Sequence, residues 1–287
     1  MNFDPVERHL FLEGLLLRYG YDFRQYSEAS LNRRLENVMR KTDMTDFYEI
    51  LKLALRDKEF FNTILPLMTV STTEPFRDPG FFRSLRQNVA PVLRTHPTIN
   101  VWIAGCSTGQ EIYSLAILFQ EEGLLNRATI YATDINPIAL RTARDGIYDL
   151  ESMRTFTRNY IEAGGQHSPS DYYTADYGSA RFDPILRRNV VFSEHNLVTD
   201  HVFTEANLIL CRNVLIYFNR ELQDRALRLF SHSLIHRGFL CLGSKESIRF
   251  SSIGPDFDAL DGENRIFQKK LMESVLQSRF ADDRGEL

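Results

Sequence analysis

The stretch from Val101 to Ile117, VWIAGCSTGQEIYSLAI, constrains the fold of this chain more than any other. Val101 to Ala104 form an apolar run ending in Gly105, small residues lead to Gly109, and Ile112, Leu115 and Ala116 recur at helical spacing. The pattern predicts a strand, a tight turn and a helix. Glycines suit such a turn because a missing side chain opens unusual backbone angles and lets a ligand approach the main chain. The helix beyond presents free N–H groups at its start. Such a turn serves either to bind a cofactor or only to pack a helix tightly on a sheet.

The next apolar run, ATIYATDIN, reaches Asp134 about one strand-helix-strand unit later. An acidic residue at that place accepts hydrogen bonds from ribose hydroxyls in dinucleotide-binding folds. The alternative for Asp134 is a helix cap before Pro137. A nicotinamide site would show G-x-G-x-x-G, whereas this turn reads GCSTG. The two signals together indicate a nucleoside-bearing cofactor and leave nicotinamide unspecified.

The rest of the chain sorts around this centre. Residues 1–70 read as an all-helical domain: Val6, Leu10 and Leu15 to Leu17 mark one helix closed near Gly20, Leu31, Leu35, Val38 and Met39 the stripe of a second, and Phe47, Ile50, Leu51 and Ala54 the start of a third. The second carries Arg33, Arg34, Arg40 and Lys41 against a single Glu36. That excess is either an ordinary solvated face or a basic patch that steers an acidic partner. Residues 71–98 hold the STTEPFRDPGFF segment, whose two prolines and glycine mark a connection, and a short amphipathic helix over 81–93.

A domain over 99–270 comes next, with the strand-like runs NVVFSEHNL, ANLILC and GFLCLGS and a helix at 220–236. Between 151 and 189 the alternation fails, and glycines, Pro169 and three tyrosines suggest an inserted subdomain of a short helix and small antiparallel strands. The fold class expected is α/β, a doubly wound sheet, whose ligands bind beyond the carboxyl ends of parallel strands. Gly105, Asp134, Asn196 and Asn213 all fall at such ends. Residues 271–287 form a charged tail.

Composition narrows the function classes. With 287 residues, 43% hydrophobic and 25% charged, the chain is that of an ordinary globular protein, and a net charge of -4 gives no global case for nucleic-acid binding. No apolar run nears the roughly 18 residues that span a bilayer, and the acidic start MNFDPVERHL does not read as a signal peptide, so a cytoplasmic location is expected. Cys106, Cys211 and Cys241 lack CxxC spacing and read as buried thiols. His232 and His236 have helical i, i+4 spacing without a third ligand, so no metal site is expected.

In this order, the SLNRRL helix, TTEPFRDPGFF, GCSTGQEIYSLAI, YATDIN, RTARDGIY, FSEHNL, CRNVLIYF and LGSKES resemble the CheR-type chemotaxis receptor methyltransferases, over nearly the whole chain. The resemblance implies an all-α N-terminal domain before a class I S-adenosylmethionine-dependent methyltransferase (Rossmann-like) domain. It implies an enzyme that transfers methyl from S-adenosyl-L-methionine to receptor glutamates and leaves S-adenosyl-L-homocysteine. It places Ser71, Thr73, Arg77, Gly105, Glu111, Asp134, Asn196, Leu197, Asn213 and Val214 at the cofactor. Tyr217 and Arg77 would orient the incoming carboxylate, with a core aromatic as the alternative for Tyr217. Arg33, Arg34, Arg40 and Lys41 would face an acidic methylation helix of a membrane chemoreceptor, and in some members the inserted subdomain takes a receptor C-terminal peptide. Departures from the family pattern at Ser71, Pro75, Gln110 and the Ser244–Lys245 pair leave the target open. Competing expectations are a non-catalytic module sensing the cofactor or its demethylated product, a methyltransferase acting on a different protein, and a nucleotide-dependent oxidoreductase.

Overall fold

The computed structural model describes residues 3–69 and 73–271. Ser71 and residues 272–287 of the expected tail lie outside the described residues.

Among the described residues the helical region has four helices, where three starts were legible. Helix α1 (Pro5–Tyr19) begins with Pro5 and an Asp4 carboxylate that accepts from Val6 N, and it ends at Gly20 with φ 79°. Helices α2 (Glu28–Thr42), α3 (Phe47–Arg56) and α4 (Lys58–Met68) come after it. Asp57 separates the last two: its extended backbone ends α3, and its carboxylate accepts from Glu59 N and Phe60 N to start α4. Phe11, Leu15, Leu35, Val38, Ile50 and Ile64 are fully buried between these helices.

Helices α5 (Pro79–Ser84) and α6 (Ala90–Leu93) are joined by a π-helical turn over Leu85–Val89. Pro91 cannot donate to the preceding turn, and the helix widens just before it. Then come β1 (Ile99–Ala104), α7 (Gln110–Glu121), β2 (Ala128–Asp134) and α8 (Pro137–Asp145). A three-stranded antiparallel sheet is formed by β3 (Ile147–Asp149), β4 (Tyr173–Asp176) and β5 (Ser179–Phe182), with α9 (Leu150–Glu162) between its first two strands. The small sheet therefore starts before residue 151, because Ile147 to Asp149 pair with Ser179 to Arg181.

The main sheet is completed by β6 (Val190–Glu194), β7 (Ala206–Cys211), α10 (Arg220–Ser233), β8 (Leu234–Leu242), β9 (Phe257–Asp261) and β10 (Ile266–Lys269). Its order is β6-β2-β1-β7-β8-β10-β9. The first five strands are parallel, whereas β10 runs antiparallel to both neighbours. The C-terminal pair was not anticipated, since residues 243–270 carry no strong alternation. His232 and His236 also part company: the helix stops at Ser233, so one lies on α10 and the other on β8.

Chain direction positions the site. From β1 the chain moves outward through β2 to β6, then returns to place β7 on the other side of β1. The loops after β1 and β7 thus leave in opposite directions and open a crevice at the carboxyl ends of the strands. No helix among the described residues is long and apolar enough to cross a membrane.

Candidate functional site

The crevice is a cleft of about 1030 Å³, open mouth included. Its floor is the turn after β1. Gly105 has φ 74°, and a Cβ there would stand 2.5 Å from Val214 Cγ2, so only glycine lets the β1 and β7 loops touch. Ser107 N donates to Asp134 Oδ2 at 2.8 Å, and Asn136 N donates to Oδ1 at 2.9 Å. Burial raises the Asp134 pKa, against the pull of these backbone bonds. Asp134 does not cap α8: Asn136 does, accepting from Ile138 N and Ala139 N.

Opposite Asp134, the first turn of α7 brings Glu111 to the wall. Its Oε1 accepts from Arg212 Nη1 at 2.6 Å. The Arg212 side chain is 3% exposed, donates also to Asp78 Oδ2 at 2.7 Å and Arg77 O at 3.1 Å, and lies over the Phe81 ring at 4.1 Å. A buried guanidinium held by two carboxylates is stable because each charge has a partner.

The loop after β7 carries Asn213, Val214 and Tyr217. Asn213 has φ 61°, and the loop is held from below by Glu246, itself 4% exposed. The Glu246 carboxylate accepts from Gly243 N at 2.6 Å, Asn213 N at 3.0 Å and Ile216 N at 3.3 Å. Burial raises its pKa while these bonds oppose the rise. Above the loop, Ser27 N donates to Tyr217 O at 2.9 Å and Asn219 N to Gln25 O at 2.8 Å. The connector between α1 and α2 therefore pairs with the loop as a short antiparallel bridge at Tyr26 and Phe218.

Of the residues expected at the cofactor, Thr73, Arg77, Gly105, Glu111, Asp134, Asn196, Leu197, Asn213 and Val214 all line this cleft, together with Tyr217; Ser71 lies outside the described residues. A second opening, lined by Arg33, Arg40, Glu36, Asn37, Pro66 and Leu67, meets the cleft at Arg34, Thr69, Arg77 and Tyr217, which line both. Arg33 and Arg40 are exposed there, and Lys41 is exposed but not among the lining residues.

Arg34 corrects the expectation of a solvent-facing basic patch. It is 3% exposed, donates to Ser30 Oγ at 3.1 Å and to Met68 O, and its guanidinium lies over the Tyr26 and Tyr217 rings. The signal was present in the sequence: position 34 falls with Leu31, Leu35 and Val38 on one helical stripe. Arg212, Glu246, Tyr26, Thr69 and His195 were not singled out. Arg212 and Glu246 sit inside the CRNVLIYF and LGSKES motifs, so a charge within a buried motif was the available clue. Gln110 is not among the lining residues: it is buried beside Glu111 and accepts from Thr108 Oγ1 at 2.8 Å.

The donor set suits a nucleoside joined to an amino acid. Asp134 has both oxygens fixed on backbone N–H groups with lone pairs left for hydroxyls, Glu111 offers an anion and Arg77 a cation. Ser107 Oγ and His195 Nδ1 are buried at its walls without a hydrogen-bond partner among the described residues.

Comparison with known proteins agrees with this chemistry. A family model described as "CheR methyltransferase, SAM binding domain" matches residues 71–262, and one described as "CheR methyltransferase, all-alpha domain" matches residues 7–69. The chain is 52% identical to the "Putative methyltransferase Cher3" of Pseudomonas putida, over 92% of this chain and 97% of that one. It is 30% identical to the chemotaxis protein methyltransferase of Listeria monocytogenes, over 80% of this chain and 85% of that one. It also matches an uncharacterized 104.1 kDa protein of Rhodobacter capsulatus at 32% identity, over 90% of this chain but 27% of that one. Among solved structures, the N-methyltransferase NodS of Bradyrhizobium japonicum with S-adenosyl-L-homocysteine aligns over 73% of this chain and 72% of that one, at 14% identity and a TM-score of 0.33, too distant to carry an argument.

Proposed function

Since the chain belongs to the CheR methyltransferase family and has its S-adenosylmethionine-binding domain, we propose that it methylates glutamate side chains on the cytoplasmic methylation helices of a chemoreceptor. The observation that carries this reading is the junction at which an arginine-lined groove opens into the cofactor cleft through Arg34, Thr69, Arg77 and Tyr217. An acidic helix laid along Arg33 and Arg40 would present a carboxylate there.

S-adenosylmethionine supplies a methyl group on a sulfonium, which leaves as a neutral thioether when a carboxylate oxygen takes the methyl carbon. Around it the chain's own groups bind and orient. Asp134 accepts from the ribose hydroxyls. Glu111, kept in place by Arg212, faces the ammonium, and Arg77 with Thr73 faces the carboxylate, charge-assisted bonds being the strong ones. Asn196, Leu197, Asn213 and Val214 close the remainder. Tyr217 and Arg77 orient the incoming glutamate.

No general base is needed, because a glutamate with an ordinary pKa of about 4.3 is already an anion at neutral pH. The work left to the protein is alignment, which contributes roughly 7–11 kcal/mol in favourable cases. Excluding water adds to it, since carboxylate and sulfonium lose their charges together as methyl moves.

The test incubates the protein with S-adenosylmethionine labelled in the methyl group and a membrane fraction from its source, adds alkali and collects volatile label. Carboxyl methyl esters release methanol in base, whereas N-methyl and ring O-methyl groups do not. Labelled methanol that disappears in Asp134→Ala supports the reading. Its absence from a protein that binds the cofactor by calorimetry would favour the sensing module or a target outside the membrane fraction.

A further inference from the structure

The helical region touches the acceptor end of the reaction centre through Arg34. This residue comes from the inner face of α2, while Arg33 and Arg40 occupy its outer face along the groove. Its guanidinium carbon lies 4.6 Å from the centre of the Tyr217 ring and 5.0 Å from that of Tyr26. Its hydrogen-bond acceptors, Ser30 Oγ and Met68 O, belong to α2 and the end of α4. At 3% exposure it has little surface to offer an acceptor protein. What it does touch is the Tyr217 ring, which borders both cleft and groove and stands at their junction.

The two sides of the Tyr217 loop are held by different parts of the chain. Glu246 fixes the backbone at Asn213 and Ile216 from the sheet side. Ser27 N fixes the Tyr217 carbonyl from the helical side, and the Arg34 guanidinium covers the ring. A guanidinium lying over a half-buried phenol ring restricts that ring by both packing and cation–π attraction. The ring's place is thus set by α2, whereas the place of the cofactor cleft is set by the sheet.

We propose that Arg34 is a positioning residue for methyl transfer, acting through Tyr217, so that α2 guides the acceptor on its outer face and sets the acceptor geometry on its inner face. The proposal rests on the placement of Tyr217 at the acceptor end under the proposed function.

The experiment compares Arg34→Met, which keeps an unbranched stem without charge, Arg34→Lys, Tyr217→Leu and the Arg34→Met/Tyr217→Leu double variant. Base-labile methanol is measured against increasing membrane fraction, S-adenosylmethionine affinity by calorimetry, and thermal unfolding in parallel. Arg34→Met is expected to lose about tenfold or more of the rate at saturating membrane, in line with the cost of small misplacements in an oriented site. Its cofactor affinity stays within about threefold, and Arg34→Lys recovers part of the rate through the retained cation. The unfolding shifts of Arg34→Met and Tyr217→Leu fall short of additive in the double variant, as for two residues in contact.

A deficit that saturating membrane abolishes would make Arg34 a docking residue, and lost cofactor binding or additive unfolding shifts would make it a fold anchor; each overturns the proposal. If the wild type yields no methanol, the glutamate reading fails. The clamp itself is then decided by the unfolding cycle alone, supported by a non-additive result and overturned by an additive one.

Discussion

Asp134, proposed to accept from the ribose hydroxyls, is at odds with its own fold. Burial raises its pKa above the ordinary 3.8, although Ser107 N and Asn136 N both donate to it. For a carboxylate raised in the folded state, the stability it contributes is present below the ordinary value and is lost as pH climbs through the folded one. At neutral pH the ionised group therefore costs the unliganded fold stability, and hydroxyl donors from a bound ribose offset that cost. Asp134→Asn should bind S-adenosylmethionine about tenfold to a hundredfold more weakly at neutral pH, the worth of roughly 1.5–3 kcal/mol for hydrogen bonds to a charged group. Wild-type affinity should fall on acidification through the raised pKa while the variant's stays level. Thermal unfolding without ligand should move in favour of the variant as pH rises. Calorimetry and unfolding scans over a descending pH series check both, and parallel affinity curves for the two proteins would contradict the assignment. Asp134 was legible because a carboxylate closing an apolar strand is a local pattern; that Asn136, two residues on, takes the capping role was not, since either side chain suits the cap.

At the scale of the element, α2 has two faces, for which separate tasks are proposed. Arg33 and Arg40 are exposed and line the groove, and Arg40 donates to Asn37 Oδ1 at 2.8 Å. Their field reaches about 8 Å at physiological ionic strength, so on the proposed reading they would act on approach more than on residence. The Arg33→Glu/Arg40→Glu double variant should need about tenfold or more membrane fraction for half-maximal methanol release, lose the wild type's decline with added salt, and bind S-adenosylmethionine within about twofold of wild type. Unchanged membrane dependence would remove the groove from acceptor recognition, and lost cofactor binding would signal misfolding. The helix and its stripe were legible from its spacing, but its charge was read as one patch. Four basic residues spread over positions 33 to 41 cannot all face one way on a helix, and Arg34 falls inward beside Leu31, Leu35 and Val38.

For the whole molecule, the helical and sheet regions share core material. Tyr26 packs against both the helical cluster around Phe11 and Leu35 and the sheet cluster around Trp102 and Phe230. Thr69 Oγ1 accepts from Asn136 Nδ2 at 2.9 Å, a second tie between the end of α4 and the cofactor loops. The chain should therefore unfold in one transition. Fluorescence of Trp102, its only tryptophan, reports the sheet region, and far-ultraviolet circular dichroism reports the helices of both regions; the dichroism should change in one transition whose midpoint coincides with that of the fluorescence. S-adenosylmethionine at a hundred times its dissociation constant adds about 2.7 kcal/mol, which for a chain of 287 residues should raise both midpoints together by roughly 4–5 °C. A second phase of the helical signal that melts apart from the fluorescence and ignores the cofactor would show the two regions to be independent. The sequence alone determined the features set by nearest neighbours and period: the apolar strands, the glycine turn, the carboxylate at the end of β2 and the run of basic residues on α2. Only the tertiary structure decided the partners of the buried charges, because Arg212 meets Glu111 from 101 residues away, Glu246 reaches back to Asn213 across 33, and Arg34 finds Tyr217 from another region of the chain. A buried charge is tolerable only with a partner, and no local pattern names a partner that distance in sequence hides.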